Sequence, residues 1–296
     1  MWVPVTLAAA TFQILRTSQQ HRLRDTLSTA GATYVRFVYG APLALAVALV
    51  VFGVLGRPLP TVPWSFWWVI SGAGVAQIVG TFALLASFKV RDFAVGTVYS
   101  KAEVLIVAAL GGLGVGTALA AWGWVGAVLV TIGVVVLASE GDVVALTRRA
   151  GDPAALLGIV AGGLFGVAAI GIGDAANRLD GAPSFDRALI ALTALLIVQT
   201  LLNTVWFLIV DRNEVAAVAR AWRPSVVIGV LSMAGSISWA WAFTVTGAAK
   251  VRTLGQVELV IAFAIAHFVL RERHTRVEYI ASGLVLVGAV IVAAFG

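Results

Sequence analysis

The chain has 296 residues, 60% of them hydrophobic and 11% charged, against roughly 25% charged in soluble domains. That balance excludes a water-soluble fold and leaves lipid as the solvent; the net charge of +6 lies mostly between apolar runs and reads as loops meeting anionic lipid, not as a nucleic-acid surface. With no cysteine, disulfides, thiolate metal sites and cysteine nucleophiles are excluded as well.

The apolar runs are about 20 residues long and do not alternate with polar residues, so they predict helices and not barrel strands. The opening MWVPVTLAAATFQIL lacks a basic start and predicts a first span, not a cleaved leader. Ten spans are expected, at 2–21, 29–55, 64–88, 93–112, 117–138, 154–176, 186–210, 222–247, 250–271 and 276–295. Short polar connectors such as HRLRD, GRPLP, KVRD and RERHTR separate them. The longest charged connector, Ser139 to Asp152, divides the chain into segments 1–147 and 148–296, with five spans each.

Polar residues inside the spans are few, and each asks for a partner. Gln13 lies in the first span. Arg36, in TYVRF of the second, either snorkels or pairs structurally, or meets a solute. Gln77 and Thr81 share one face of the third span, where Gly72, Ala76 and Gly80 also set up close helix packing. The fourth span holds Tyr99, Ser100, Lys101 and Glu103. Two residues apart, Lys101 and Glu103 cannot pair on one helix face, and an unpaired charge at this depth costs a few kcal/mol. Lys101 therefore either receives a substrate carboxylate or forms a structural pair with Glu258. Glu103 and Glu258 bind protons or gate the helices, or else accept hydrogen bonds in a scaffold role.

The sixth span repeats small residues at Gly158, Gly162 and Gly166. Most tryptophans lie near span ends, as an interfacial belt requires. Trp239 and Trp241 lie mid-span in the eighth, and only one of them can face a central cavity. In the ninth, Gln256 stands where Lys101 does in the first half. His267 reads as a hydrogen-bonded helix residue. The basic residues favour loops after odd-numbered spans, which by the positive-inside rule puts both termini outside.

The halves align at a constant shift of 155 residues: Phe88 meets Phe243, Glu103 meets Glu258, Ile106 meets Ile261 and Gly133 meets Gly288. An odd number of spans per half makes the second half enter the membrane from the opposite side, the inverted arrangement of transporters with a midplane site between repeats. The expected fold class is an all-α integral membrane protein, with ten transmembrane helices in two inverted five-helix repeats around a central cavity. GIGD at Gly171 to Asp174 resembles a string of intramembrane aspartyl proteases, but no second membrane aspartate accompanies it. GGLGVG at Gly111 follows a helix and leads to no acidic ribose partner, so a dinucleotide site is not expected.

In order and spacing, these elements resemble the drug/metabolite transporter superfamily, EamA type, over essentially the whole chain. The residues that carry the resemblance are Arg36-Phe37, Glu103 and the Gly126 to Gly133 run in the first half. In the second they are Glu258, LRERHT from Leu270 to Thr275, Gly283 and Gly288. Val104 and Leu259 replace the proline that follows each such glutamate, which leaves a helix break there open. Thr117 stands where Glu272 of the second half would predict a glutamate. The resemblance implies a basket of helices, with helices one, three, four, six, eight and nine lining the cavity and five and ten peripheral.

Within that superfamily the cavity composition looks most like that of exporters of the YddG type. The expected function is export of amino acids (aromatic or neutral) or similar amphipathic metabolites across a bacterial inner membrane by alternating access. Gln13, Gln77, Thr81, Tyr99, Ser100, Lys101, Trp239, Trp241 and Gln256 would contact the solute, with Glu103 and Glu258 in coupling or structural roles. A sugar phosphate would call for more cations than these. The expected partners are a small solute, the lipid bilayer and protons; no cofactor, metal or enzymatic activity is expected. A proton-coupled multidrug exporter is the alternative. An intramembrane hydrolase at Asp174 and a passive scaffold or channel are the readings from other classes.

Overall fold

Backbone groups in hydrocarbon must find their partners within the chain, and here they do so in helices. The computed structural model describes residues 1–23, 26–90, 93–139, 148, 151–268, 271 and 275–296. Among the described residues there is no strand, only an isolated antiparallel bridge between Thr61 and Asp180. The Ser139 to Asp152 connector, and with it the 147/148 division, falls largely outside the described residues, as does the turn around Glu272.

In chain order the helices are α1 (Trp2–Arg22), α2 (Thr29–Val38), α3 (Gly40–Ala48), α4 (Trp64–Val90), α5 (Phe93–Ser100), α6 (Glu103–Gly112) and α7 (Ala121–Ala138). There follow α8 (Pro153–Asn177), α9 (Ser184–Val210), α10 (Arg212–Arg220), α11 (Trp222–Thr246), α12 (Ala248–Gly255), α13 (Val257–Phe268) and α14 (Arg276–Phe295). Helix α3 runs on into a wider turn, where the Leu55 N–H reaches back five residues to the Val50 carbonyl. A reciprocal cap starts α14: the Thr275 hydroxyl accepts from the Glu278 N–H while the Glu278 carboxylate accepts from the Thr275 N–H.

Among the described residues eight helical segments are long and apolar enough to cross a membrane: Thr29–Val54, Trp64–Phe88, Val95–Gly112, Ala121–Ala138, Pro153–Asn177, Ser184–Val210, Trp222–Thr246 and Arg276–Phe295. Helix α1 and the α12–α13 pair occupy the expected first and ninth spans but do not meet that measure, because they carry Gln13 and Arg16 in one case and Lys250, Arg252 and Glu258 in the other.

The expected fourth and ninth spans are each broken in two, although neither has a proline at the break. Around the first break the Lys101 N–H bonds the Val98 carbonyl and the Val104 N–H bonds the Lys101 carbonyl, three residues back instead of four. Around the second, the Gln256 N–H bonds the Thr253 carbonyl and the Leu259 N–H bonds the Gln256 carbonyl. The two sets of bonds coincide under the shift of 155 residues. Such tightened turns inside a helix mark hinges or strained sites.

Close helix packing surrounds these breaks. Gly162 of α8 faces the Ser100 carbonyl so tightly that a Cβ there would overlap it. Gly158 and Gly166 meet Gly96 and Val107 on the same pair of broken helices. The expected small stripe on α4 is only partly used: Gly80 packs on Leu164 and Phe165, whereas Gly72 has open space beside it. Helices α7 and α14 pack on each other. Gly126 approaches the Gly288 carbonyl, Gly288 approaches the Gly126 carbonyl, and seven residues further along α7, Gly133 meets the Ala281 carbonyl, seven residues back along α14. The two helices therefore run antiparallel.

Candidate functional site

Both breaks open onto one cavity of about 320 Å³, at the small end of ligand pockets. Helices α1, α2, α4, α8, α9 and α11, together with the α5–α6 and α12–α13 breaks, contribute to its wall. Gln20 and Thr33 carry it toward the connection between α1 and α2. The opposite ends of the helices are tied: Arg57 Nη1 lies 2.8 Å from the carboxylate of the buried Asp186, close to the Thr61–Asp180 bridge.

Two crossed ion pairs join the broken helices. Lys101 donates to Glu258 Oε1 at 2.7 Å. Arg252 Nε lies 2.7 Å from Glu103 Oε1, a charge contact without an aligned hydrogen bond. The shift of 155 residues takes Lys101 to Gln256, and the cation for Glu103 comes instead from Arg252, one turn earlier. A single charge stranded at this depth costs roughly 2.5–3.5 kcal/mol on insertion scales, which is the physical reason for pairing.

A polar chain extends from the first pair. The Gln13 amide donates to the second oxygen of Glu258. The Trp239 indole N–H donates to Gln13 Oε1 at 3.2 Å. Trp239 stacks on Phe243, with 5.9 Å between ring centroids, and the Arg252 guanidinium lies over both rings at 5.3 and 5.5 Å. Across the cavity the Gln199 amide donates to Gln77 Oε1 at 2.7 Å.

The residues expected from sequence are distributed unevenly. Gln13, Gln77, Thr81, Ser100, Lys101, Trp239 and Gln256 line the cavity, as do Glu103 and Glu258. Tyr99 and Trp241 do not. Tyr99 packs on Val95, Ala154 and Ala155, and Trp241 bonds the Ser184 hydroxyl at 3.0 Å and packs edge-on against Phe185. Each stands two residues from a lining residue, about 200° around the helix. Asp174 is half-exposed and paired with Arg178 at 2.9 Å, away from the cavity.

Arg16, Gln20, Thr33, Gln199 and Arg252 line the cavity without having been singled out. For α1 the signal was present: Gln13, Arg16 and Gln20 fall on one helical face. Arg252 stands at the very start of the expected ninth span, 250–271, where a cation reads as one of the basic residues of the adjoining loop; the helix begins at Ala248, and Arg252 lines the cavity.

Residues 152–294 match the EamA-like transporter family. No curated protein matches the chain in sequence. A solved structure, described only as the crystal structure of a protein, superimposes with a TM-score of 0.71 at 15% identity, covering 98% of this chain and 96% of that one. At that identity the likeness speaks for the fold alone. The EamA-like family is one of transporters and not of enzymes, and its match supports the drug/metabolite transporter superfamily. The chain is thus a multi-pass membrane protein whose second half is similar to the EamA-like transporter family.

Proposed function

We propose that the chain is a secondary transporter that moves small metabolites, amino acids among them, across the membrane by alternating access through the cavity between two five-helix halves. The observation that carries this reading is the pair of crossed contacts, Lys101–Glu258 and Arg252–Glu103, at matched helix breaks on the wall of one cavity. Charged groups inside spans that face a cavity are the usual mark of a solute or ion path. Discontinuous helices at a repeat interface are the usual architecture of such a site.

The halves are residues 1–147 and 148–296, with α1 and the α12–α13 pair completing ten passes. The antiparallel approach of α7 and α14 supports opposite insertion of the halves, since these helices stand in equivalent places in the two segments. Bacterial inner membrane is the setting that the resemblance implies. The ion pairs offer a zwitterion both signs of charge, and the Trp239–Phe243 stack offers an apolar wall for its side chain. Glu103 and Glu258 are the groups through which a proton would couple to transport.

The test is counterflow of labelled solutes in proteoliposomes, scored per folded and inserted molecule. Saturable flux that falls at least tenfold in Lys101→Ala is expected. Unchanged flux of every carried solute in that variant would remove Lys101 from the path, and flux that never saturates would make the protein a passive pore.

A further inference from the structure

The charges on the cavity wall do not balance. Among the described residues four cations line it, Arg16, Arg36, Lys101 and Arg252, against two carboxylates, Glu103 and Glu258. Lys101 and Arg252 use up the two carboxylates. Arg16 feels the field of Glu258, but that carboxylate is already bonded by Lys101 and Gln13, and the Arg16 Nε is buried without a hydrogen-bond acceptor. Arg36 is placed still less favourably. It shares the wall with Arg16 and Arg252, both of its own sign, and its guanidinium lies over the ring of its neighbour Phe37 at 4.6 Å. Three guanidiniums thus share the wall of one small hollow, with no ion pair to Arg36 among the described residues.

Guanidiniums repel one another, and in a low-dielectric wall that repulsion is strong. A forked donor that no protein acceptor satisfies is suited to a planar carboxylate or a phosphate. We infer that Arg16 and Arg36 form an anion subsite in this cavity, and that the transported solute is a small organic anion whose charge offsets the two surplus cations. This inference rests on the transporter reading above and narrows its substrate class from small metabolites in general to small organic anions. The apolar stack of Trp239 and Phe243 would lie against the carbon part of the solute, and the arginines would hold its carboxylate or phosphate oxygens.

Four labelled probes separate the possibilities in counterflow: L-malate as a dicarboxylate, glycerol 3-phosphate as a phosphate ester, L-leucine as a zwitterion and choline as a cation. The expected result is saturable flux of L-malate or glycerol 3-phosphate at a half-saturation at least ten times below that of L-leucine; which of the two is carried tells carboxylate from phosphate. Arg36→Gln should weaken the anion at least tenfold and shrink its advantage over L-leucine, and Arg36→Lys should keep much of that advantage. A merely structural arginine would lower flux of all probes alike. If Arg36→Gln fails to insert, Arg16→Gln provides the same comparison.

Saturable flux of L-leucine or choline without either anion would overturn the anion subsite and leave transport standing. Anion flux whose preference is untouched by both arginine variants would overturn it too. Flux of none of the four probes would overturn the subsite together with the transporter reading.

Discussion

Lys101 and Glu258 are each other's nearest opposite charges, and the cost of separating them depends on how dry the contact is. Their side chains are 17% and 12% exposed, so cavity water reaches both only slightly. Removing one partner strands the other charge; for buried pairs this costs 3–5 kcal/mol. Here Lys101→Met or Glu258→Gln alone is expected to lower unfolding stability in detergent by about 3 kcal/mol, toward the lower end of that range. The double variant should lose no more than either single one, a coupling well above the few tenths of a kcal/mol found for independent sites. A denaturant titration of the three variants measures this, and additive losses would show that the two residues do not depend on each other. At this scale the sequence was legible where a charge broke an apolar run, as at Lys101, Glu103 and Glu258. It was not legible at Arg252, which stands at the edge of an expected span and whose partner Glu103 is remote in sequence, or at Tyr99 and Trp241, whose direction is set by helix rotation.

The element that positions the site is the break between α5 and α6, which exists without proline. The tightened turn at Lys101 presses its backbone into α8, and Gly162 admits the Ser100 carbonyl. A methyl group at Gly162 would have to displace backbone. Gly162→Ala is therefore expected to destabilise by about 2 kcal/mol, as overpacking does, and to reduce flux by shifting the Lys101 turn. The neighbouring Gly163→Ala is the control, since its added carbon would sit 3.8 Å from Ile106, an ordinary contact; helix propensity alone predicts a gain of roughly 0.5–1 kcal/mol. Thermal unfolding of the two variants side by side checks the contrast, and equal behaviour would show that close backbone approach does not hold the break. The small-residue pattern in α8 announced tight packing from sequence. The break itself was not legible, because it comes from bonds three residues back in an apolar stretch with no residue that forces them.

At the scale of the whole molecule, hydrophobic run length gave the helical class, and the shift of 155 residues marked positions that the structure places at equivalent turns. Composition could not fix how many helices cross, because two of the elements that line the cavity, α1 and the α12–α13 pair, carry polar and charged residues into it. Helix α1 and the α12–α13 pair are more polar for the same reason that they matter to the site. The central claim is that two oppositely inserted halves face each other across the cavity. Since the chain has no cysteine, single thiols can be placed at Gly56 and Asp211, exposed positions that correspond under the repeat shift. A membrane-impermeant thiol reagent, applied to sealed vesicles of known orientation, should label Gly56→Cys from one side only and Asp211→Cys from the other side only. Labelling of both from the same side would contradict the opposed halves and the shared cavity built on them.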